Sequence, residues 1–225
     1  MSATIGSQAL MAAVESRLTQ MGASAPALLD RARVDKIYEI YVLTCLVKAL
    51  KRHEARLIPY DSVGRPTNTL RFRMAPGLLY GPASQPSYIS VKLGKHEYEI
   101  QNSLRVVGSS GVLHELDVCL IEHQKANQYR QASMDLGHKS VLFFAECKYY
   151  GSNLPLHLGR EYLGLSSEFR VRVKTLVSNR DNLEVKNLVT GHKGTFTNNV
   201  TPWRFKRVEE FIGWIANELD QVLRK

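Results

Sequence analysis

Helical spacing of apolar residues marks both ends of the chain, and shorter extended runs fill its middle. Residues 7–21 set Leu10, Val14, Leu18 and Met21 on one side of a helix that the stretch from Gly22 to Pro26 ends. In the next helix Val34, Ile37, Tyr41, Thr44 and Cys45 mark one face. Ile40, Leu43, Leu46, Val47 and Leu50 carry apolar character around the cylinder, and Lys51 and Arg52 put cations at its negative pole. A helix this apolar must pack on more than one side. Glu39 is the only acid between Lys36 and His53, so it lies on a narrow wet strip or is buried for a purpose.

From Pro59 to Pro86 glycines and prolines break short apolar runs such as 70–74, which predicts loops and short strands. Extended segments follow at 88–93, 98–107 and 112–121, with reversals at Gly94-Lys95 and Gly108–Gly111, the pattern of an antiparallel meander. A polar helix over 123–137 leads to the mostly apolar run 141–150, which reads as a central strand covered on both faces. Residues 156–169 suit a helix weakened by Gly159 and Gly164, and 171–177 another strand; 179–199 gives no clear reading. Thr201 is placed to cap a last helix with Pro202 in its first turn, whose stripe is Phe205, Val208, Ile212, Ile215, Leu219 and Val222. This order of elements predicts an α/β or α+β unit. Residues 1–30 read as a helical appendage and 31–225 as a single domain, with an inserted β/loop region at 54–94.

The composition narrows the partners. Thirty Lys and Arg against 21 Asp and Glu give a formal charge of +9, so a polyanion is the natural partner, with DNA, RNA and an anionic membrane alike by charge alone. Three cysteines inside apolar stretches read as buried thiols of a cytoplasmic protein, and no secretory leader or membrane-spanning run is evident. The seven histidines show no zinc-ligand spacing, Gly108–Gly111 lacks the Lys-Ser/Thr of a phosphate loop, and no Gly-x-Ser-x-Gly is present.

The most informative text is 114–121, HELDVCLI, followed by Glu146-Cys147-Lys148. On a strand Glu146 and Lys148 share a face, and Asp117 meets them if its strand lies alongside. Ionised groups within apolar strands are costly unless they compensate one another or a cation. Hydrolysis of a phosphodiester accounts for them. Asp117 and Glu146 offer hard oxygen ligands to Mg²⁺, for which Mn²⁺ can substitute, with the Cys147 carbonyl as a further ligand; Lys148 orients or helps deprotonate water and offsets developing charge.

These residues resemble the PD-(D/E)XK nuclease superfamily, the restriction-endonuclease-like fold, over roughly residues 33–178. The resemblance implies a mixed central sheet flanked by helices, with Asp117 on a hairpin strand, Glu146 and Lys148 on the next strand and Glu39 as the carboxylate from a preceding helix. Leu116 stands where the motif often has proline, and the interval from Glu39 to the hairpin is longer than in compact members. Glu115, on the same strand face as Asp117, is a further acid, in a direct or outer role. The resemblance makes the helix after the second motif strand a substrate-positioning one, carrying Arg160 and His157. Arg172, Lys174 and Lys193 complete the expected nucleic-acid contacts, with Arg65, Arg71, Arg73, Arg170 and His192 as further basic candidates.

The expected activity is therefore a divalent-metal-dependent endonuclease acting on DNA, in a homodimer if both strands are cut. A noncatalytic nucleic-acid-binding module of the same fold is the alternative, and a partner protein whose charge is incidental is a third.

Overall fold

Local pattern sets most element boundaries in the computed structural model, which describes residues 2–25, 33–80 and 86–223. Helix α1 (Ser2–Thr19) and α2 (Val34–Lys51) precede strands β1 (Arg56–Tyr60), β2 (Tyr88–Leu93), β3 (His96–Val107) and β4 (Leu113–Glu122). Helix α3 (His123–Ala132), β5 (Leu136–Gly137), a short 3₁₀ turn and β6 (Val141–Lys148) follow. Then come α4 (Leu156–Glu168), β7 (Val173–Ser178), α5 (Leu183–Gly191), β8 (Phe196–Thr197) and α6 (Phe205–Leu223). The result is a mixed α/β architecture: among the described residues, one eight-stranded sheet flanked by six helices. The end of the N-terminal segment at 26–30 and the Gly/Pro text at 81–85 lie outside the described residues.

Strand order is β1-β2-β3-β4-β6-β7-β8, with β5 pairing β3 off this path. The expected meander is present: β2, β3 and β4 pair antiparallel in sequence, and β1 extends it at the edge of β2. The turn between β2 and β3 places Gly94 at φ 57°, which glycine adopts without strain. Strand β6 joins β4 antiparallel but runs parallel to β7, which runs parallel to β8. Each parallel step needs a crossover, supplied by α4 and then α5. Gly159, which weakens α4 as a helix, lets α5 approach: a Cβ there would stand 3.1 Å from Leu188 Cδ2.

Two apolar layers cover the sheet. One joins α1, α2 and α6 to β-strand residues such as Val118, Leu120, Phe143 and Ala145. The other joins α4 and α5 to Cys119, Ile121, Phe144 and Leu176. Helix α2 is buried almost all round, as its pattern requires. Leu10, Val14 and Leu18 of α1 belong to the same core, and Arg17 reaches α2 with bonds to Thr44 Oγ1 (2.9 Å) and Tyr41 Oη (3.2 Å). No helix among the described residues is long and apolar enough to cross a membrane.

Two local expectations are corrected, and one open region takes form. Thr201 does not cap the last helix: its carbonyl accepts from Arg204 N (2.9 Å), so 201–203 form a turn and the helix begins at Phe205. Phe205 is consequently 71% exposed, off the buried stripe that begins at Val208. The unclear region 179–199 holds α5 and β8, with Asn182 as the cap, its side chain accepting from Glu184 N and Val185 N.

Candidate active site

Asp117 lies where the sheet comes apart. The β3–β4 register passes from Asn102↔Val118 to Leu104↔Leu116 without pairing Ser103 to Asp117, and Ser103 has a left-handed φ of 44°. On the other side the β4–β6 ladder ends at Val118↔Ala145. The next main-chain donor, Cys147 N–H, goes instead to Asp117 Oδ2 at 2.7 Å. A carboxylate thus replaces a ladder partner, and the notch it opens continues into a cleft of about 630 Å³. Lys36, Glu39, Glu115, Asp117 and Lys148 line this cleft, with Arg33, Tyr149 and Tyr150 among its other walls.

Glu146 and Lys148 share a strand face as their spacing predicts, with Lys148 Nζ 2.7 Å from Glu146 Oε1. Glu39 on α2 is 5% exposed, so burial, not a wet strip, explains the lone acid of that helix. Its carboxylate holds Lys36 Nζ at 2.9 Å and accepts from Ser103 Oγ at 3.0 Å. The same ammonium reaches Glu115 Oε1 at 3.3 Å and Ser103 Oγ at 3.0 Å. Lys36 and Ser103 were not singled out by sequence; the i,i+3 spacing of Lys36 to Glu39 was the available signal for the first.

The electrostatics follow from burial and like charge. Burial, then the Glu146 and Glu39 carboxylates, raise the Asp117 pKa well above the usual carboxylate range, against Lys148 and the Cys147 N–H. Burial pushes Glu39 up to about 7 although Lys36 and Ser103 oppose it. For Lys148 burial works against the charge, but Glu146 and Asp117 outweigh it and the pKa is raised. Lys148 therefore keeps its proton at neutral pH. The Cys147 thiol, also buried, is raised and stays neutral.

The cleft wall carries the acids Asp35, Glu39, Glu115 and Asp117 beside the cations Arg33, Lys36 and Lys148, and Glu146 adjoins it through its pair with Lys148. Among the described residues no three His, Cys, Asp or Glu side chains converge in a metal-holding group. Asp117 and Glu146, near enough that the one carboxylate raises the pKa of the other, offer hard oxygen donors of the kind a divalent cation takes. Such a sparse set suits Mg²⁺, which keeps several waters.

The expected nucleic-acid contacts separate. Arg160, His157, Lys193 and His192 are exposed. Arg172 precedes β7 and pairs with Gln221 and Glu218 of α6. Lys174 turns to the end of α4, donating to Ser166 O (2.6 Å) and Phe169 O (2.8 Å), so it satisfies helix carbonyls there. Arg71 and Arg73 do not share a strand face, because no strand forms at 70–74. Arg71 is exposed, whereas Arg73 is buried and fastens its loop to Gln101 Oε1 (2.8 Å) and Leu78 O (3.1 Å). Arg65 is held by Asp61 at 3.0 Å.

A third buried acid, beside Asp117 and Glu39, escaped the sequence reading. Glu99 on β3 is fully buried and accepts from Arg130 (2.8 Å), His123 Nδ1 (2.9 Å) and Gln101 Nε2 (2.7 Å). Its charge is answered within the protein, outside the walls of the cleft. No protein-family profile, no curated protein and no solved structure matches this chain.

Proposed function

We propose that the protein is a divalent-metal-dependent nuclease that hydrolyses DNA phosphodiesters at the cleft between β4, β6 and α2, in an arrangement of the restriction-endonuclease-like kind. The observation that carries this reading is Asp117. It is buried at a break in two ladders, opposite Glu146 with its Lys148 partner, and opens on a cleft that Glu39 and Glu115 also line. A purely structural salt bridge would not need the break in the ladders.

Asp117, Glu146 and the Cys147 carbonyl would hold Mg²⁺ or Mn²⁺, which when bound polarises a phosphoryl oxygen and lowers the pKa of its water. Lys148 donates to the attacking water or to a phosphate oxygen and offsets the charge that grows there. Lys36 keeps Glu39 and Glu115 fixed and partly neutralised beside the cleft, which assigns Glu39 a supporting place in the resting protein. The net charge of +9 favours a phosphate backbone as substrate.

The test is conversion of supercoiled DNA to nicked or linear forms in Mg²⁺ against the same mixture in EDTA. Cutting confined to the metal arm is the expected result. Salt-sensitive binding with no cutting in Mg²⁺ or Mn²⁺ would replace this reading with that of a binding module.

A further inference from the structure

Four consecutive residues at the start of α6, Trp203, Arg204, Phe205 and Lys206, are all exposed. Trp203 is 53% and Phe205 71% exposed, among the most accessible large apolar side chains described. Neither serves the core, which takes its first α6 residue at Val208. Aromatic and cationic side chains thus alternate along a short surface segment. This segment adjoins the cleft: a Cβ at Gly6 of α1 would stand 2.9 Å from Tyr149 Oη, on the cleft wall, and 3.6 Å from Trp203 Cη2. Arg180, donating to Tyr150 O (3.0 Å) and Gly151 O (2.7 Å), adds a further cation beside that wall.

We infer that the Trp203–Lys206 segment is a stacking platform for a single-stranded stretch of the nucleic acid engaged in the cleft. The inference rests on the proposed nuclease reading and deepens it by naming the form of substrate. An unpaired base exposes its π-face to an aromatic ring, whereas paired bases in a duplex are already stacked on each other. The neighbouring Arg204 and Lys206 meet the backbone phosphates that accompany each base. Charge is what favours a polyanion over a second copy of this chain, since two copies would bring Arg204 and Lys206 against their own kind.

The experiment uses the full chain with Trp214→Phe, leaving Trp203 as the only tryptophan, in EDTA so that nothing is cut. Its fluorescence is titrated with oligo-dT and, separately, with a duplex of equal length. The inference expects quenching by the single strand, with Trp203→Ala and Phe205→Ala each weakening single-strand affinity roughly 5- to 150-fold by fluorescence anisotropy. Trp203→Phe should restore most of the affinity, and duplex affinity should change little. Because both side chains are exposed, the variants should keep the wild-type melting temperature, checked by circular dichroism.

Binding of either nucleic acid that ignores both alanine substitutions overturns the platform and leaves the nuclease reading intact. Failure to bind any nucleic acid overturns both. Self-association in the absence of nucleic acid that Trp203→Ala abolishes, seen by light scattering, overturns the platform in favour of a contact between copies.

Discussion

Asp117 is the residue on which chemistry and stability pull in opposite directions. Its folded-state pKa is raised, so the folded protein binds a proton more readily than the unfolded chain does. That contribution is favourable below the ordinary carboxylate pKa and is lost as pH rises through the folded value. Asp117→Asn keeps an oxygen for the Cys147 N–H and removes one buried carboxylate. Without metal the variant should therefore melt higher than the wild type at pH 8, by a few degrees, and the gap should close toward pH 4; thermal scans in EDTA across that range check it. Adding Mg²⁺ should raise the wild-type melting temperature at pH 8 and leave that of Asp117→Asn unmoved. Lys36 predicts the reverse kind of effect. Lys36→Met strands Glu39 and Glu115 without their ammonium, which should cost on the order of 3 kcal/mol in a urea melt, partly recovered by adding Glu39→Gln.

The residues that carry charge out of context were legible in the text. Asp117, Glu146 and Lys148 interrupt apolar strands, and Glu39 interrupts an apolar helix, so each raised the question that the structure answers with a shared cleft. Ser103 was not legible, because nothing in a serine on an alternating strand announces a positive φ or an unpaired ladder position. Lys174 misled because strand alternation ignores the helix end five residues upstream, whose carbonyls claim its ammonium. Arg73 misled in the same way, since burial of an arginine depends on a loop whose course no local pattern specifies.

Among the elements, strong periodicity located β2, β3, β4, β6 and α2 to within a few residues. Short pieces did not have that support. Strand β8 has two residues and exists because β7 offers an open edge, and α5 depends on the Asn182 cap and the space left at Gly159. The start of α6 shows the limit of capping rules: a threonine followed by proline fits a helix start, yet the main chain turned first and left Thr201 Oγ1 buried without a partner. Helix α1 offers an element-scale test of its place in the core. Leu10 is fully buried against α2, so Leu10→Ala should cost about 2–5 kcal/mol in a denaturant melt. A change below 0.5 kcal/mol would show that α1 only rests on the surface.

At the scale of the whole molecule, the sheet supplies the placement and the charge distribution supplies the partner. Strand β6 is antiparallel to β4 on one side and parallel to β7 on the other, so the Glu146–Lys148 end of β6 stands beside Asp117 at the break in the ladder. Acidic groups concentrate in this cleft while the chain as a whole carries +9. On the proposed nuclease reading, a phosphate backbone is attracted by the whole and, near the carboxylates, accepted with a cation between. Nucleic-acid affinity should accordingly fall with salt, linearly in logarithmic terms, and rise at fixed ionic strength when Ca²⁺ replaces EDTA. Anisotropy titrations at several salt concentrations check both, and an affinity indifferent to Ca²⁺ would detach the cleft from binding.

The most direct measurement of the central claim is DNA cleavage by Asp117→Asn and Lys148→Ala beside the wild type, in Mg²⁺ and in EDTA, with folding and DNA binding of each confirmed in the same samples. The account predicts metal-dependent cutting by the wild type, reduced at least about 100-fold in both variants while DNA is still bound. Cutting that survives either substitution, or that proceeds unchanged in EDTA, would contradict it.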